Sequence, residues 1–396
     1  MRSGFRVGKV LGIEIRVDWS WLLILLLVIW NLGTTFAGIH RDWGTALTWG
    51  TAVVAALLFF GSVLAHELAH SLVARARGIP VRAITLFLFG GVSDIEREPA
   101  SPGAEFLMAI VGPLTSLLLG GLLVLLAGAA VGPVRDAIAD PTQAAARLSP
   151  LLTLMVWLGS VNVTVGLFNL IPGFPLDGGR VLRSILWAAT GNLRRATRWA
   201  AGAGQAIAWL MIVGGVAMAF GARIPLFGTG FGAGLWLTFI GWFLNSASVR
   251  SYQQVVVADV LEGVPVSHMM RRDPPTCEPT CTIARLVHEH ILGTDDQSFP
   301  VLDDDRLIGI VTLEDVRRIA REAWDTTTVR DVMTPAERLV MATPDEQASQ
   351  ALEELTSADV RQLPVVHDGE LVGLLRRSDV IKWLQLQAES VRGRAR

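Results

Sequence analysis

The sequence is poor in charged side chains and in cysteine, and neither sign of charge prevails. Charged residues make up 18% of the 396 positions and hydrophobic ones 51%, which is too apolar for an ordinary soluble protein. A net charge of -2 provides no overall basic field, so we expect no nucleic-acid partner. Cys277 and Cys281 are too few for a structural zinc knuckle, and we interpret them as reduced cytosolic thiols rather than a redox pair.

Long apolar runs dominate the first two thirds of the chain. Six of them reach the roughly 20 residues that cross the hydrocarbon core as a helix: 19–38, 46–74, 104–131, 149–171, 198–221 and 225–247. The first run follows a basic start and has the alternative interpretation of a secretory signal, but Glu14 and Asp18 precede it and no small-residue cleavage site stands out. The runs predict a multi-pass protein of the cell membrane, in contact with the lipid bilayer.

Basic residues flank alternate ends of these runs, which is typical of cytoplasmic loops in membrane proteins. They precede the first run and follow the second and the fourth. We therefore expect both termini to face the cytoplasm. The residues concerned are Arg2, Arg6, Lys9, Arg16, Arg75, Arg77, Arg82, Arg97, Arg180, Arg183, Arg194, Arg195 and Arg198.

The polar part after the last run contains an internal repeat. VSHMM aligns with VRDVM at an offset of 63, and SFPVLDDDRLIGIVTLEDV aligns with QLPVVHDGELVGLLRRSDV at an offset of 64. Each copy predicts the order strand, helix, strand, glycine turn, strand, helix, an α/β unit whose exposed sheet edge needs its twin. The repeat resembles a tandem pair of CBS domains, a family of regulatory modules that bind adenine nucleotides.

The stretch FFGSVLAHELAHSLVARARG places His66, Glu67 and His70 at the end of the second apolar run. Ionisable groups inside a membrane helix are costly, so a bound cation explains three together better than a chance match. Residues four apart share a helix face, so His66 and His70 can direct two imidazoles at one tetrahedral metal. In this HExxH arrangement Glu67 reaches a metal-bound water as the general base of a metalloprotease.

A catalytic zinc needs a third protein ligand and one open position. Asp177 lies in GLFNLIPGFPLDGGRVL, where proline and glycine interrupt the helix. Irregular backbone at membrane depth is tolerated where it lines a cavity, although a plain loop is the alternative. The predicted orientation puts Asp177 and His70 near the cytoplasmic ends of their runs, so the two can meet.

These motifs resemble those of the site-2 protease family, zinc metalloproteases that cut within the membrane. HELAH matches the HExxH motif, FNLIPGFPLDGGR matches the second ligand motif, and RVGKVLGIEIRVDWSW, LFLFGGVSDIEREP and EFLMAIVGPLTS fit the same pattern. The resemblance implies one zinc per chain on His66, His70 and Asp177, with Glu67 as catalytic base. Its implied substrates are membrane-spanning proteins such as an anti-sigma factor or another regulator, or a remnant signal peptide.

Further residues of the membrane part carry separate expectations. Asn169 can donate a hydrogen bond to the substrate carbonyl, with a purely structural amide as the alternative. ITLFLFGGVSDIE predicts a membrane-associated hairpin in which Gly90 and Gly91 let an extended substrate approach the edge; a buried re-entrant loop is the alternative. Glu105 and the Gly-Pro pair at Gly112 are interpreted as an interfacial charge and a packing kink, without chemistry.

In the first repeat, Thr312 and Asp315 fit the ribose- and phosphate-binding signature of the CBS family. In the second repeat Arg376 replaces the threonine, while Asp379 is kept. The resemblance implies one adenine nucleotide bound through Asp315 and Asp379, with Arg376 favouring a phosphate-bearing ligand, and this binding would gate substrate entry. A purely structural CBS pair is the open alternative. The CBS domains are also a candidate surface for a homodimer.

The predicted fold class is a polytopic α-helical membrane protein of about six transmembrane helices with a C-terminal soluble α/β tandem CBS domain pair. The expected domains are an intramembrane zinc metalloprotease domain (1–247), a linker (248–263), CBS domains at 264–325 and 326–388, and a basic tail (389–396). A CBS-regulated ion transporter with HELAH as its ion site and an inactive scaffold are the competing functions. Transporters often show inverted repeats, which these six runs lack. An inactive scaffold is disfavoured because every catalytic residue type is present.

Overall fold

The computed structural model describes residues 4–88, 90–95, 99–131, 141–224, 228–304 and 306–393. The chain divides into two compact units, Met1–Gln253 and Gln254–Arg396. Part of the orientation prediction rests on Arg2 and Arg97, which lie outside the described residues. Residue 89 of the predicted hairpin and residues 394–396 of the predicted basic tail also lie outside them.

The first unit combines long helices with one small sheet. Its described elements are β1 (Gly4–Val10), β2 (Ile13–Asp18), α1 (Trp19–Ile39), α2 (Thr45–Ala76), β3 (Val81–Phe87), β4 (Gly90–Ile95), α3 (Pro102–Val131), α4 (Pro141–Ala146), α5 (Pro150–Asn169), α6 (Asp177–Thr190), α7 (Leu193–Ala219) and α8 (Phe231–Leu261), which ends in the second unit.

Five helices of the described residues are long and apolar enough to cross a membrane, namely α1, α2, α5, α7 and residues Pro102–Ala130 of α3. Such helices satisfy their own backbone hydrogen bonds, as lipid requires. Polar caps fix where three of them begin: Asp18 accepts a hydrogen bond from the Ser20 amide at 2.9 Å, Ser149 caps α5, and Asn192 caps α7. The sixth predicted run overlaps α8, which is not among the five, so a sixth span stays a prediction.

The sheet of the first unit has the order β1-β2-β3-β4. β2 and β3 pair in parallel, while β1 with β2 and β3 with β4 are antiparallel, so the predicted hairpin is present as β3 and β4. Ile13, Ile15 and Ile84 are buried, and Leu64 and Leu68 of α2 pack against them. One face of the sheet therefore lies along α2, the helix that carries HELAH.

The second unit is an α/β fold made of two similar halves. The first half contains a 3-10 turn (Val266–His268), α9 (Ile283–Leu286), a π-helical turn (Val287–Ile291), β5 (Ser298–Asp303), β6 (Arg306–Thr312), α10 (Leu313–Arg317) and a 3-10 turn (Arg321–Ala323). The second half contains α11 (Val329–Val332), β7 (Thr334–Pro335), a 3-10 turn (Ala336–Arg338), α12 (Ala348–Ser357), β8 (Gln362–His367), β9 (Glu370–Arg376) and α13 (Arg377–Gly393).

The expected leading strand of each half is reduced to one bridge. Cys277 pairs in parallel with Val301 in the first half, and Ala342 pairs in parallel with Val365 in the second. Prolines lie on both sides of Cys277 in PPTCEP, and one proline follows Ala342 in ATP. Because proline has no amide hydrogen to donate, it stops these segments from extending the ladder.

The two halves make equivalent contacts with each other, as expected for a pseudo-twofold arrangement. They share one sheet in the order β5-β6-β9-β8, joined where Arg306 pairs with Glu370, two positions that the repeat aligns. A Cβ atom added to Gly309 would lie 2.7 Å from the sulfur of Met333, and one added to Gly373 would lie 2.7 Å from that of Met270. Each half therefore seats a methionine on the glycine of its twin.

Candidate metal centre

Two histidines of α2 form the base of the site. His66 and His70 are one helical turn apart and bury all but 6% and 8% of their surface. Their Nε2 atoms are 3.1 Å apart. The spacing of HELAH thus brings two imidazole nitrogens together, as the motif predicts.

Asp177 completes the group from a distant part of the chain. It is the first residue of α6, and its Oδ2 lies 3.1 Å from His66 Nε2 and 3.2 Å from His70 Nε2. Gly178 and Gly179 follow it, and a Cβ atom on either would run into the backbone of residues 170–174. The two glycines therefore allow α6 to begin directly against the preceding loop, with Asp177 at its first turn.

The three ligand atoms have the spacing of a tetrahedral zinc site. Zinc bonds of ~2.0–2.1 Å in tetrahedral geometry place neighbouring ligand atoms about 3.3 Å apart. The three observed separations are 3.1, 3.1 and 3.2 Å. Two imidazole nitrogens and one carboxylate oxygen are a donor set that zinc accepts, with a fourth position left for water or substrate. The residues present therefore fit the metal.

Helix α3 holds the outer nitrogens of both histidines. His66 Nδ1 is 2.9 Å from Ser116 Oγ, and His70 Nδ1 is 2.5 Å from the Met108 carbonyl oxygen. Since each Nε2 faces the metal position, each Nδ1 carries the hydrogen and donates it, which fixes the tautomer and the ring orientation. Neither partner was predicted from the sequence, although Met108, Gly112 and Ser116 recur at the four-residue spacing of one helix face.

Gly112 lies between these two partners and faces the metal position. A Cβ atom on Gly112 would lie 2.7 Å from His66 Nε2 and would also overlap His70 Nε2. Gly112 is therefore more than part of the expected packing kink, because its lack of a side chain also matters at the metal position. The absence of a side chain at Gly112 leaves room for an ion between the histidines.

The Glu67 carboxylate is held from the sheet. Ser93 of β4 donates a hydrogen bond to Glu67 Oε2 at 2.9 Å, and Ser71 donates to Ser93 Oγ at 3.1 Å. A Cβ atom on Gly91 would collide with Glu67 Cγ. Gly91 therefore brings β4 against the predicted base, while the approach of an extended substrate to the hairpin edge stays a prediction.

Two other predicted site residues, Asn169 and Gly90, make no hydrogen bond to the side chains of the histidines or Glu67 among the described residues. Asn169 is the last residue of α5, is half-buried, and makes no side-chain hydrogen bond within the described part of the chain. Gly90 has φ +131° and begins β4, and a Cβ atom there would meet nothing within 4 Å. Gly90 therefore serves the turn of the hairpin, where a left-handed backbone favours glycine.

A buried ion pair connects α3 to α6. Glu105 is fully buried, Arg183 is 3% exposed, and the guanidinium bonds directly to the carboxylate. Arg183 also lies over the ring of Phe174, 5.4 Å from its centroid. Glu105 is therefore a buried, paired charge rather than the expected interfacial one, and Arg183 lies inside α6 rather than in the expected basic loop. A buried charge is tolerated here because it is paired.

The predicted nucleotide residues are engaged within the second unit. Thr312 and Asp315 form a capping box at the start of α10, with Thr312 Oγ1 donating to Asp315 Oδ2 at 2.6 Å. Arg376 donates from Nε and Nη2 to Asp379, both at 2.9 Å, and its Nη1 lies 3.4 Å from Asp296. The two repeats therefore differ: a hydroxyl faces the carboxylate in the first and a guanidinium in the second.

Comparison with known proteins covers almost the whole chain. Peptidase family M50 matches residues 54–213, and the CBS domain matches residues 266–322 and 329–386. Rip3 of Mycobacterium tuberculosis is 33% identical over 98% of this chain and 94% of its own length. The protein sll0528 of Synechocystis is 34% identical over 98% of this chain and 97% of its own. Both relatives carry zinc metalloprotease in their names.

Among solved structures, the Site-2 Protease from Methanocaldococcus jannaschii is 27% identical, with a TM-score of 0.42, and the match covers 63% of this chain and 95% of that one. The family match and the identity to relatives along nearly the full length decide the assignment. The chain belongs to peptidase family M50, the site-2 proteases, and it carries a tandem pair of CBS domains.

Proposed function

We propose that this protein is an intramembrane zinc endopeptidase that hydrolyses peptide bonds within or near transmembrane segments of membrane-bound proteins. The observation that carries the proposal is the triangle of His66 Nε2, His70 Nε2 and Asp177 Oδ2, with separations of 3.1–3.2 Å, on helices next to Glu67. An ion-transport site needs ligands but no general base. The carboxylate beside the ligands therefore supports hydrolysis.

His66, His70 and Asp177 would hold one zinc per chain, which would supply a Lewis acid and lower the pKa of water. Glu67 accepts a proton from the attacking water, whose oxygen forms the new bond to the peptide carbonyl carbon. Glu67 then donates that proton to the leaving nitrogen as the carbon–nitrogen bond breaks. We assign Asn169 the role of donating a hydrogen bond to the carbonyl oxygen while charge develops there.

The substrate is a membrane-spanning segment that must unwind, because a helix keeps its carbonyls in its own hydrogen bonds. Among the described residues β4 is an end strand of its sheet, and it lies against Glu67, which supports strand addition as the way an unwound segment is received. The substrate class includes anti-sigma factors, other membrane-bound regulators and remnant signal peptides. Gly or Pro near the scissile bond of a test substrate should raise the rate of cutting, and a run of Leu should lower it.

In the membrane we propose six spans, with α8 as the sixth, and both termini in the cytoplasm. The basic residues at alternate ends of the apolar runs support this orientation. The proposed domain limits remain 1–247 for the protease, 264–325 and 326–388 for the CBS domains, with a linker and a basic tail. Labelling of single cysteines placed in alternate loops tests the orientation, and labelling from the opposite side would contradict it.

For the CBS pair we propose binding of one adenine nucleotide, which regulates substrate entry. The signature formed by Thr312 and Asp315 and the family match support it. Asp315 and Asp379 are the proposed binding carboxylates, and Arg376 favours a phosphate-bearing ligand. In each repeat the nucleotide has to compete with the side chain that already bonds to the carboxylate, Thr312 in the first and Arg376 in the second. Coupling of this kind is reciprocal, so substrate should change nucleotide affinity as much as nucleotide changes substrate affinity.

The deciding experiment compares three forms of the purified full chain in lipid vesicles with a single-span test substrate. Wild type should cut the substrate and carry about one zinc per chain. Glu67→Gln should lose at least ~10²-fold in rate and keep its zinc, because the base is lost and the ligands remain. Asp177→Ala should lose most of the zinc. Cutting by Glu67→Gln at the wild-type rate would refute the proposal, and ion flux without cutting would favour a transporter.

A further inference from the structure

Helix α2 and strand β4 pack together beside the metal centre, with the spacing of two residues on the strand matching one turn of the helix. Glu67 and Ser71 are four residues apart on α2, which corresponds to about 6 Å along a helix. Gly91 and Ser93 are two residues apart on β4, which corresponds to about 6.8 Å along a strand. Gly91 therefore lies against Glu67, while Ser93 reaches both α2 side chains, at 2.9 Å to Glu67 Oε2 and 3.1 Å to Ser71 Oγ.

The face of the hairpin that contains Ser93 is the face that packs on α2. Ser93 lies opposite Ile84 of β3, and Ile84 is fully buried against Leu64 and Leu68. Thr85 and Val92 are the next cross-strand pair, and they point to the other face. The position of the Ser93 hydroxyl is therefore fixed by buried neighbours on its own strand pair.

β4 is also one of the two end strands of the sheet that the described residues form, β1 being the other. The order β1-β2-β3-β4 places it at the end of the sheet. An edge strand presents a row of amide and carbonyl groups that pair with an extended peptide. Ser93 thus belongs both to the strand next to the substrate position and to the hydrogen-bonding partners of Glu67.

We propose that Ser93 is a positioning residue for Glu67: its hydroxyl holds Oε2 of the carboxylate, directs Oε1 to the water that attacks the substrate, and ties the orientation of the base to the strand that receives the substrate. This inference rests on the proposed function. A glutamate side chain has three rotatable bonds, and without a partner its carboxylate samples several rotamers. The Ser93 hydrogen bond selects one of them.

The test uses the full chain in lipid vesicles and the single-span substrate, with kcat, KM and zinc content measured together. Ser93→Ala should lower kcat about tenfold, as part of the ~10²–10⁴-fold that a positioned base contributes. KM should stay at the wild-type value, because the side-chain hydroxyl is not one of the backbone groups of β4 that pair with a substrate strand. Zinc content should also stay unchanged, because the hydroxyl bonds to Glu67 and Ser71 and to none of the three metal ligands. Ser93→Thr keeps a hydroxyl and should recover most of kcat.

Thr85→Ala is the matched control, since it removes a hydroxyl from the same hairpin on the opposite face. It should leave kcat and KM unchanged. A wild-type kcat in Ser93→Ala would overturn the inference, as would a raised KM at unchanged kcat, which would mean that the strand rather than the base was disturbed. A loss of zinc would overturn it too. If the wild-type protein cuts nothing, the proposed function fails first, and this inference fails with it.

Discussion

Replacing Gly112 by Ala should remove zinc from the centre without unfolding α3. Gly112 stands on the face of α3 that also presents Met108 and Ser116 to the two histidines. Alanine is a better helix former than glycine by about 1 kcal/mol, so the substitution does not weaken the helix by propensity. Its effect comes from the added methyl group alone.

The size of the effect follows from the distances. The added Cβ would lie 2.7 Å from His66 Nε2 and closer still to His70 Nε2. A comfortable contact needs about 3.5 Å, so the ring nitrogens must retreat by about 0.8 Å or more. Metal–ligand distances tolerate only about 0.2 Å. Zinc affinity should therefore fall by more than the ~10–100-fold that loss of an outer hydrogen-bond partner causes.

The assay is zinc per chain by elemental analysis, followed by competition with a chelator, on purified protein whose helix content is checked by circular dichroism. Gly121→Ala is the control, because Gly121 lies on the same helix and a Cβ there meets nothing within 4 Å. Wild type and Gly121→Ala should hold about one zinc, and Gly112→Ala almost none. Zinc bound to Gly112→Ala with wild-type affinity would show that the metal does not lie between the histidines.

Three further predictions concern other parts of the chain. Ser116→Ala should lower zinc affinity ~10–100-fold by freeing the His66 ring, whereas Thr115→Ala, whose hydroxyl bonds to its own helix at 2.8 Å, should not; equal affinities would contradict this. Burial raises the pKa of the Cys277 thiol to about 12, so iodoacetamide at pH 8 should react with it slowly until the protein is denatured; rapid alkylation of the folded protein would be inconsistent with this. Calorimetry of the full chain with ATP, ADP and AMP should show binding below millimolar concentration that Asp315→Ala weakens, and no binding by any of the three would exclude nucleotide regulation.

The part of the site that the sequence predicts is the part encoded by local spacing. His66 and His70 share a helix face because they are four residues apart, and the break around Asp177 is written in proline and glycine. Apolar length predicted the helices for a similar reason, since lipid imposes it on each segment separately. These features need no knowledge of which helix packs on which.

The partners of those residues depend on contacts between distant segments. Ser116 lies 50 positions from His66, and Arg183 lies 78 positions from Glu105. The four-residue spacing places Ser116 on one helix face with Met108 and Gly112, but it does not show whether that face meets α2 or lipid, so the packing of α3 on α2 decides its role. β1 and β2 were not predicted, although the segment IEIRV alternates apolar and charged residues as a half-buried strand does.

The exchanged methionines of the CBS pair set a limit on how the chain can be divided. Met270 of the first half fills the space over Gly373, and Met333 of the second half fills the space over Gly309. A chain that stopped after residue 325 would lack Gly373, against which Met270 packs, and Met333, which packs against Gly309. Deletion of one repeat thus damages the other, and substitutions at one methionine are constrained by a glycine in the opposite copy. The pair is in this sense the smallest unit that can be gained, lost or transplanted whole.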